Sequence, residues 1–172
     1  MKEFIIPFKG LGLGTHEYEW EIGKKFFDAI ENADIIDCEL TVKLDLDRQE
    51  RMMVLSFDIS GEIETQCDRC LGKLIMPTDI KQSYIIKFGH ERMEESEDVM
   101  VIPENEYKID VSELIFDYVS LFLPFKKVHG EDENRKSLCD ADVLSKLNEI
   151  TEHYDVDPRW EALKNITLDN KQ

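Results

Sequence analysis

Cys38-Glu39-Leu40-Thr41-Val42-Lys43-Leu44-Asp45-Leu46 alternates without a break. Its apolar side chains fall on one phase of a two-residue period and its polar ones on the other. That is the pattern of a strand with one face on a core and one in water. Asp47 to Glu50 is polar and reads as a turn. Residues 51–65 then run back, with Met53, Leu55, Phe57, Ile59, Gly61, Ile63 and Thr65 on a single phase. Further on, Ile80, Gln82, Tyr84, Ile86 and Phe88 mark a third long strand. Strands that follow one another in this way predict an antiparallel meander.

Working outward, residues 3–8 read as a short strand, and Gly10, Gly12 and Gly14 as a flexible link. These glycines lack the Gly-Lys-Ser/Thr ending or the Rossmann context of a phosphate loop. Tyr18, Trp20 and Ile22 alternate through a strand at 16–22, and 24–32 fits a short helix that buries Phe26, Phe27 and Ile30. Residues 90–98 are dominated by charge and read as a solvated loop. Val99 to Ile102 suits a short strand. Asp110 then caps an amphipathic helix in which Val111, Leu114, Ile115, Tyr118, Val119 and Phe122 recur at spacings of three and four. The helix stops before Pro124.

Residues 126–137 are polar and irregular, and Val143, Leu144, Leu147 and Ile150 form a second helical stripe. Asp157-Pro158 opens a short docking helix through Trp160, Leu163 and Ile166. The expectation is an α+β single domain over 1–172. An antiparallel β-sheet meander carries the packed helix, 90–98 is a charged loop, and 126–172 is a loosely attached helical C-terminal segment.

Composition narrows the function. The chain has 172 residues, 42% of them apolar, enough for a sizeable core. Against 21 basic residues stand 38 acidic ones, a net charge of −17. Such a surface repels phosphate backbones, which argues against broad nucleic-acid binding and for basic protein partners. Four cysteines (Cys38, Cys67, Cys70 and Cys139) do not make a disulfide scaffold at this length. The opening Met1-Lys2-Glu3-Phe4-Ile5-Ile6-Pro7 lacks the apolar stretch of a secretory signal, and no run approaches the ~20 apolar residues of a membrane span. A cytoplasmic protein with reduced thiols is expected, with no membrane contact and no small-molecule substrate.

Cys67-Asp68-Arg69-Cys70 carries the most chemistry. Two thiols three positions apart support three readings. One is a structural zinc site completed by His129 and Cys139. Another is a thiol–disulfide redox pair, although Leu71-Gly72-Lys73 leads toward a strand and not into the helix such a pair uses. The third is a turn in which both thiols simply pack. Arg69 is a cation fixed on a rigid turn, positioned to meet a phosphate or a carboxylate. The turn is expected to present both sulfurs and this guanidinium outward. His16, His90 and His153 lie in polar surroundings, and no Ser/His/Asp set is legible.

Three segments in series resemble the YceD family. They are Cys67-Asp68-Arg69-Cys70-Leu71 after a strand ending in Gly61-Glu62-Ile63-Glu64-Thr65, Leu121-Phe122-Leu123-Pro124 closing a helix, and Asp157-Pro158-Arg159-Trp160-Glu161-Ala162-Leu163. The resemblance covers about 35–166 and looks like the Bacteroidetes-like branch. It implies a non-enzymatic role in accumulation of large-subunit ribosomal RNA, hence in ribosome biogenesis. Many relatives carry further cysteines between the Leu-Pro element and the Asp-Pro-Arg segment; this chain departs from them there, holding only Cys139, with His129 nearby.

With the charge, the resemblance implies a basic ribosomal protein or assembly factor as partner, and rRNA engaged indirectly. The candidate binding residues are Arg69, Asp68, Arg159 and Trp160, and no catalytic residue is assigned. The competing readings are a thiol-redox or zinc-dependent enzyme using the cysteine pair, or a generic acidic protein-interaction module.

Overall fold

The computed structural model describes residues 2–28 and 34–152 and has an α+β architecture. The chain divides into two compact units, Met1–Val128 and His129–Gln172.

The first unit is built on the alternating stretches. Strand β1 is Ile5–Ile6, β2 is Gly14–Gly23, and helix α1 is Lys24–Asp28. Strands β3 (Asp37–Arg48), β4 (Met52–Gln66) and β5 (Lys73–Gly89) follow. After them come β6 (Met93–Ser96), β7 (Val99–Pro103), β8 (Ile109–Asp110) and helix α2 (Ser112–Phe122).

The main sheet has the order β2-β3-β4-β5-β7-β6, and β1 pairs with β8 in a separate two-stranded ladder. From β2 to β5 the pairing is antiparallel, as the meander predicted. Val42 faces Ile59, Leu44 faces Phe57 and Leu46 faces Leu55, so the apolar phases of neighbouring strands coincide on one face. Helix α2 covers that face. Ile115 and Val119 are fully buried in the same core as Leu44, Leu55 and Tyr84, and the Tyr118 ring meets Phe57 edge-on at 5.4 Å. Asp110 starts the helix by accepting from the Ser112 N–H at 3.0 Å and from its hydroxyl at 2.6 Å.

Several expectations need correction. Residues 3–8 form a 3₁₀ turn at Lys2–Phe4, the two-residue β1, and another 3₁₀ turn at Phe8–Gly10. Phe4 leaves the strand path to meet Phe26 at 5.1 Å. Strand β5 begins at Lys73, not Ile80. Its first half pairs with β4 alone, because β7 reaches only Ile85–Gly89, and an edge is where Pro77 is tolerated. Within the expected loop at 90–98, Met93–Ser96 is a strand that pairs antiparallel with β7. Its residues are all exposed, and charge on an edge strand discourages pairing with another chain. Ile30 lies outside the described residues.

In the second unit, residues 129–139 fold back as a small hairpin. Leu138 donates to the Gly130 carbonyl at 3.0 Å, and Glu131 bridges Ser137. The Asp132 carboxylate ties the tip by accepting from the N–H groups of Asn134 and Lys136. Asp140 caps helix α3 (Ala141–Glu152), accepting from Asp142 at 2.9 Å and Val143 at 3.1 Å.

Candidate metal-binding cysteines and an exposed basic loop

The six residues 67–72 connect β4 to β5. Cys67 closes this turn on itself: its N–H donates to the Gly72 carbonyl and its carbonyl accepts from Leu71, both at 2.9 Å. Leu71 takes φ +58, the left-handed conformation that bends the chain back into β5. The turn therefore leads into a strand, as Leu71-Gly72-Lys73 indicated.

Both sulfurs are inside. Cys67 is 0% exposed and Cys70 7%. The expectation that the turn presents its thiols outward is overturned. Cys67 continues the core-facing phase of Ile63 and Thr65, and the three-residue step returns Cys70 to the same side. The two Sγ atoms lie within 4.8 Å of each other. Yet neither residue belongs to the main apolar core, which does include Cys38. Cys38 sits on β3, and burial, with Asp37 second, pushes its thiol up to about 11.

In the second unit the hairpin sets His129 beside Cys139. A ring nitrogen of His129 and the Cys139 Sγ also lie within 4.8 Å of each other, and Cys139 is 6% exposed. The bonds across the hairpin neck explain how residues ten positions apart become neighbours.

Arg69 projects outward from the turn. Among the described residues it has no ion pair, so its guanidinium is available to an outside group. Asp68 is exposed too, but it acts as a clamp. Its N–H donates to the Lys127 carbonyl at 2.7 Å, and its carboxylate accepts from the Lys127 N–H at 2.6 Å. The Lys127 ammonium meets Asp34 at 3.3 Å. This clamp holds the segment after Pro124 against the cysteine turn, where Phe125 stands fully in solvent next to exposed Lys126. Nothing local in the sequence signals a bond across 59 positions. The one hint is a carboxylate between two cysteines, which a turn would hold for a backbone donor. Phe125 was likewise not foreseen.

A family model described as large ribosomal RNA subunit accumulation protein YceD matches residues 55–167. The chain belongs to the YceD family. No curated protein and no solved structure matches it. The family name points to a role in accumulation of large-subunit rRNA, and YceD is not a known enzyme family. The YceD match takes in the cysteine turn, α2, the hairpin and α3. It also reaches Arg159 and Trp160, which lie outside the described residues. None of the described helices is long and apolar enough to cross a membrane.

Proposed function

We propose that the chain supports accumulation of large-subunit ribosomal RNA in the cytoplasm as a non-enzymatic factor. It holds a basic ribosomal protein or assembly factor and so engages rRNA indirectly. The observation that carries this reading is the charge of −17 in a family named for ribosomal RNA. Gripping a polyanion directly would set that charge against every phosphate, whereas a lysine- and arginine-rich protein is drawn to it.

The first unit offers a place for such a partner. A cavity of about 400 Å³ opens beside β6, β7 and the start of α2. Glu94, Glu97, Glu113 and Asp117 line it together with Met100 and Leu114. None of these four carboxylates forms an ion pair among the described residues. A lysine or arginine would lay its stem on the apolar part and its head among the carboxylates.

The test is binding of the purified chain to isolated ribosomal proteins and to rRNA fragments across a salt series. A protein partner should be captured at low salt and lost as salt rises, and Glu113→Lys with Asp117→Lys should weaken capture about tenfold or more. Tight rRNA binding with no protein partner would overturn the reading.

A further inference from the structure

We propose that the first unit binds a nucleoside phosphate in a cavity at the turn between β3 and β4. Lys9, Arg48 and Arg51 take the phosphate, and the Phe88 ring lies against the base. The cavity measures about 530 Å³, and these four side chains line it together with Glu50 and Glu104. It shares no lining residue with the carboxylate-lined cavity beside α2, so the inference is independent of the partner proposal.

The three cations come from separate places in the sequence, and backbone bonds fix their surroundings. Lys9 lies in the 3₁₀ turn Phe8–Gly10, and its N–H donates to the Tyr107 carbonyl at 3.3 Å. Arg48 ends β3. Arg51 lies in the turn that follows, which Gln49 closes by donating its N–H to the Met52 carbonyl at 2.9 Å. The Arg51 carbonyl accepts from the Phe88 N–H at 3.0 Å. The half-buried Phe88 ring packs on buried Phe8, their centroids 5.7 Å apart. The platform is thus built before any ligand arrives.

Three cations at one spot run against a charge of −17. Elsewhere the carboxylates claim their cations: Lys43, Lys81, Lys87 and Arg92 all form ion pairs. Among the described residues Lys9, Arg48 and Arg51 form none. Arg48 is the most telling. Its Nη1 donates to the Leu11 carbonyl, while its Nε is shielded from solvent with no hydrogen-bond partner among the described residues. A charged donor buried without an acceptor is costly, and a phosphate oxygen matches the guanidinium fork. A small turn of the side chain would bring that edge to the cavity it already lines.

The carboxylates narrow the class of ligand. Glu106, on the same wall, is neutralised by Arg92 at 3.3 Å. Glu50 and Glu104 form no ion pair among the described residues and would repel a bare anion. They suit a ligand that carries hydrogen-bond donors as well as a phosphate. Ribose hydroxyls and base N–H groups are such donors, and a base gives the Phe88 ring a stacking partner. A nucleoside phosphate unites all three features. The proposal is of binding, and no bond is made or broken.

The full chain should be titrated calorimetrically with ADP, GDP, pyrophosphate, and a short RNA with and without a 5′ phosphate. ADP or GDP should bind at least about tenfold more tightly than pyrophosphate, and the affinity should fall as salt rises. Lys9→Glu and Arg51→Glu, both at exposed positions, should each weaken nucleotide binding about tenfold. Phe88→Leu should weaken it about fivefold and leave pyrophosphate unchanged. Glu50→Gln with Glu104→Gln should tighten pyrophosphate. Lys81→Gln, elsewhere on the sheet, should have no effect. A free nucleotide and an RNA 5′ end offer the same chemistry, and the RNA arms separate them. Phosphorylated RNA that binds as ADP does, with no binding of the unphosphorylated form, makes the ligand an RNA end. A clear preference for ADP or GDP makes it a free nucleotide. Pyrophosphate as tight as ADP, or RNA binding that ignores the 5′ phosphate, would overturn the assignment. Wild-type affinity in both Lys9→Glu and Arg51→Glu, or no binding of either nucleotide, would overturn the site.

Discussion

Cys38 and Cys67 are both buried, at 5% and 0% exposure, and for different reasons. Cys38 is one more side chain on the apolar face of β3, packed in the same core as Leu40, Val42 and Leu44. Its sulfur lies 4.0 Å from the Ile22 carbonyl, and burial holds its proton on to about pH 11. Cys67 follows the end of β4 and lies outside that core, in a turn with a second sulfur beside it. Equal burial thus has two physical origins. The sheet is closed by hydrophobic area, and the turn by backbone hydrogen bonds. Each variant below bears on whether these two regions are distinct.

The largest effect is expected in the sheet, at Gly61. Its φ is +143, and a Cβ there would stand 2.1 Å from the Glu39 carbonyl oxygen. Gly61 lies between Leu40 on β3 and Thr78 on β5, so neither neighbouring strand can yield without breaking its ladder. Gly61→Ala should therefore cost about 3 kcal/mol in urea unfolding. A loss below about 1 kcal/mol would mean that the ladder gives way around the new side chain, and the sheet would then be no more tightly closed than the turn.

The cysteines give the next effect. Cys38→Ala should cost about 1 kcal/mol in the same urea assay, the loss of one small packed group. Thiol labelling should separate Cys38 from Cys67. At pH 8 a thiol held near 11 is about one part in a thousand thiolate, so Cys38 should react last in the folded protein. Equal labelling rates for Cys38 and Cys67 in the folded protein would reduce the turn to packing.

The legible parts of the fold are those whose neighbours in space are neighbours in sequence, or whose periodicity is long. Strands β3 and β4 and their register could be read because alternation persists over twelve and fifteen residues. Helix α2 could be read from its three–four spacing and Pro124. The first half of β5 was missed because Pro77 argues against a strand, and only the sheet order shows that this stretch is an edge. Strand β6 was missed because four exposed residues carry no alternation at all. At the site, the spacing of Cys67 and Cys70 names the chemistry, and the inward direction of Cys67 follows from the phase of Ile63 and Thr65, which it continues. The Asp68–Lys127 clamp depends on where the chain returns after α2, which no local pattern encodes.

The smallest effect tests a flaw within the sheet's own packing. The Tyr118 hydroxyl is buried with no hydrogen-bond partner among the described residues, although its ring packs on Phe57. A buried polar atom left unpaired costs about 1–3 kcal/mol, so Tyr118→Phe keeps the ring contact and should gain up to about 1 kcal/mol. The same variant should alter the alkaline limb. Burial, with Asp98 next, pushes the Tyr118 hydroxyl up to about 12 from an ordinary value near 10. Between those values the unfolded chain has lost this proton while the folded chain keeps it, so stability falls as pH rises through the window. Removing the hydroxyl should make that fall shallower, with the part due to Tyr84, also raised by burial, remaining. Urea unfolding of both proteins from pH 8 to pH 11 measures the two slopes. A loss of more than about 1 kcal/mol at neutral pH in Tyr118→Phe would show that the hydroxyl is bonded after all. The region closed by hydrophobic area would then depend on a polar contact, as the cysteine turn does.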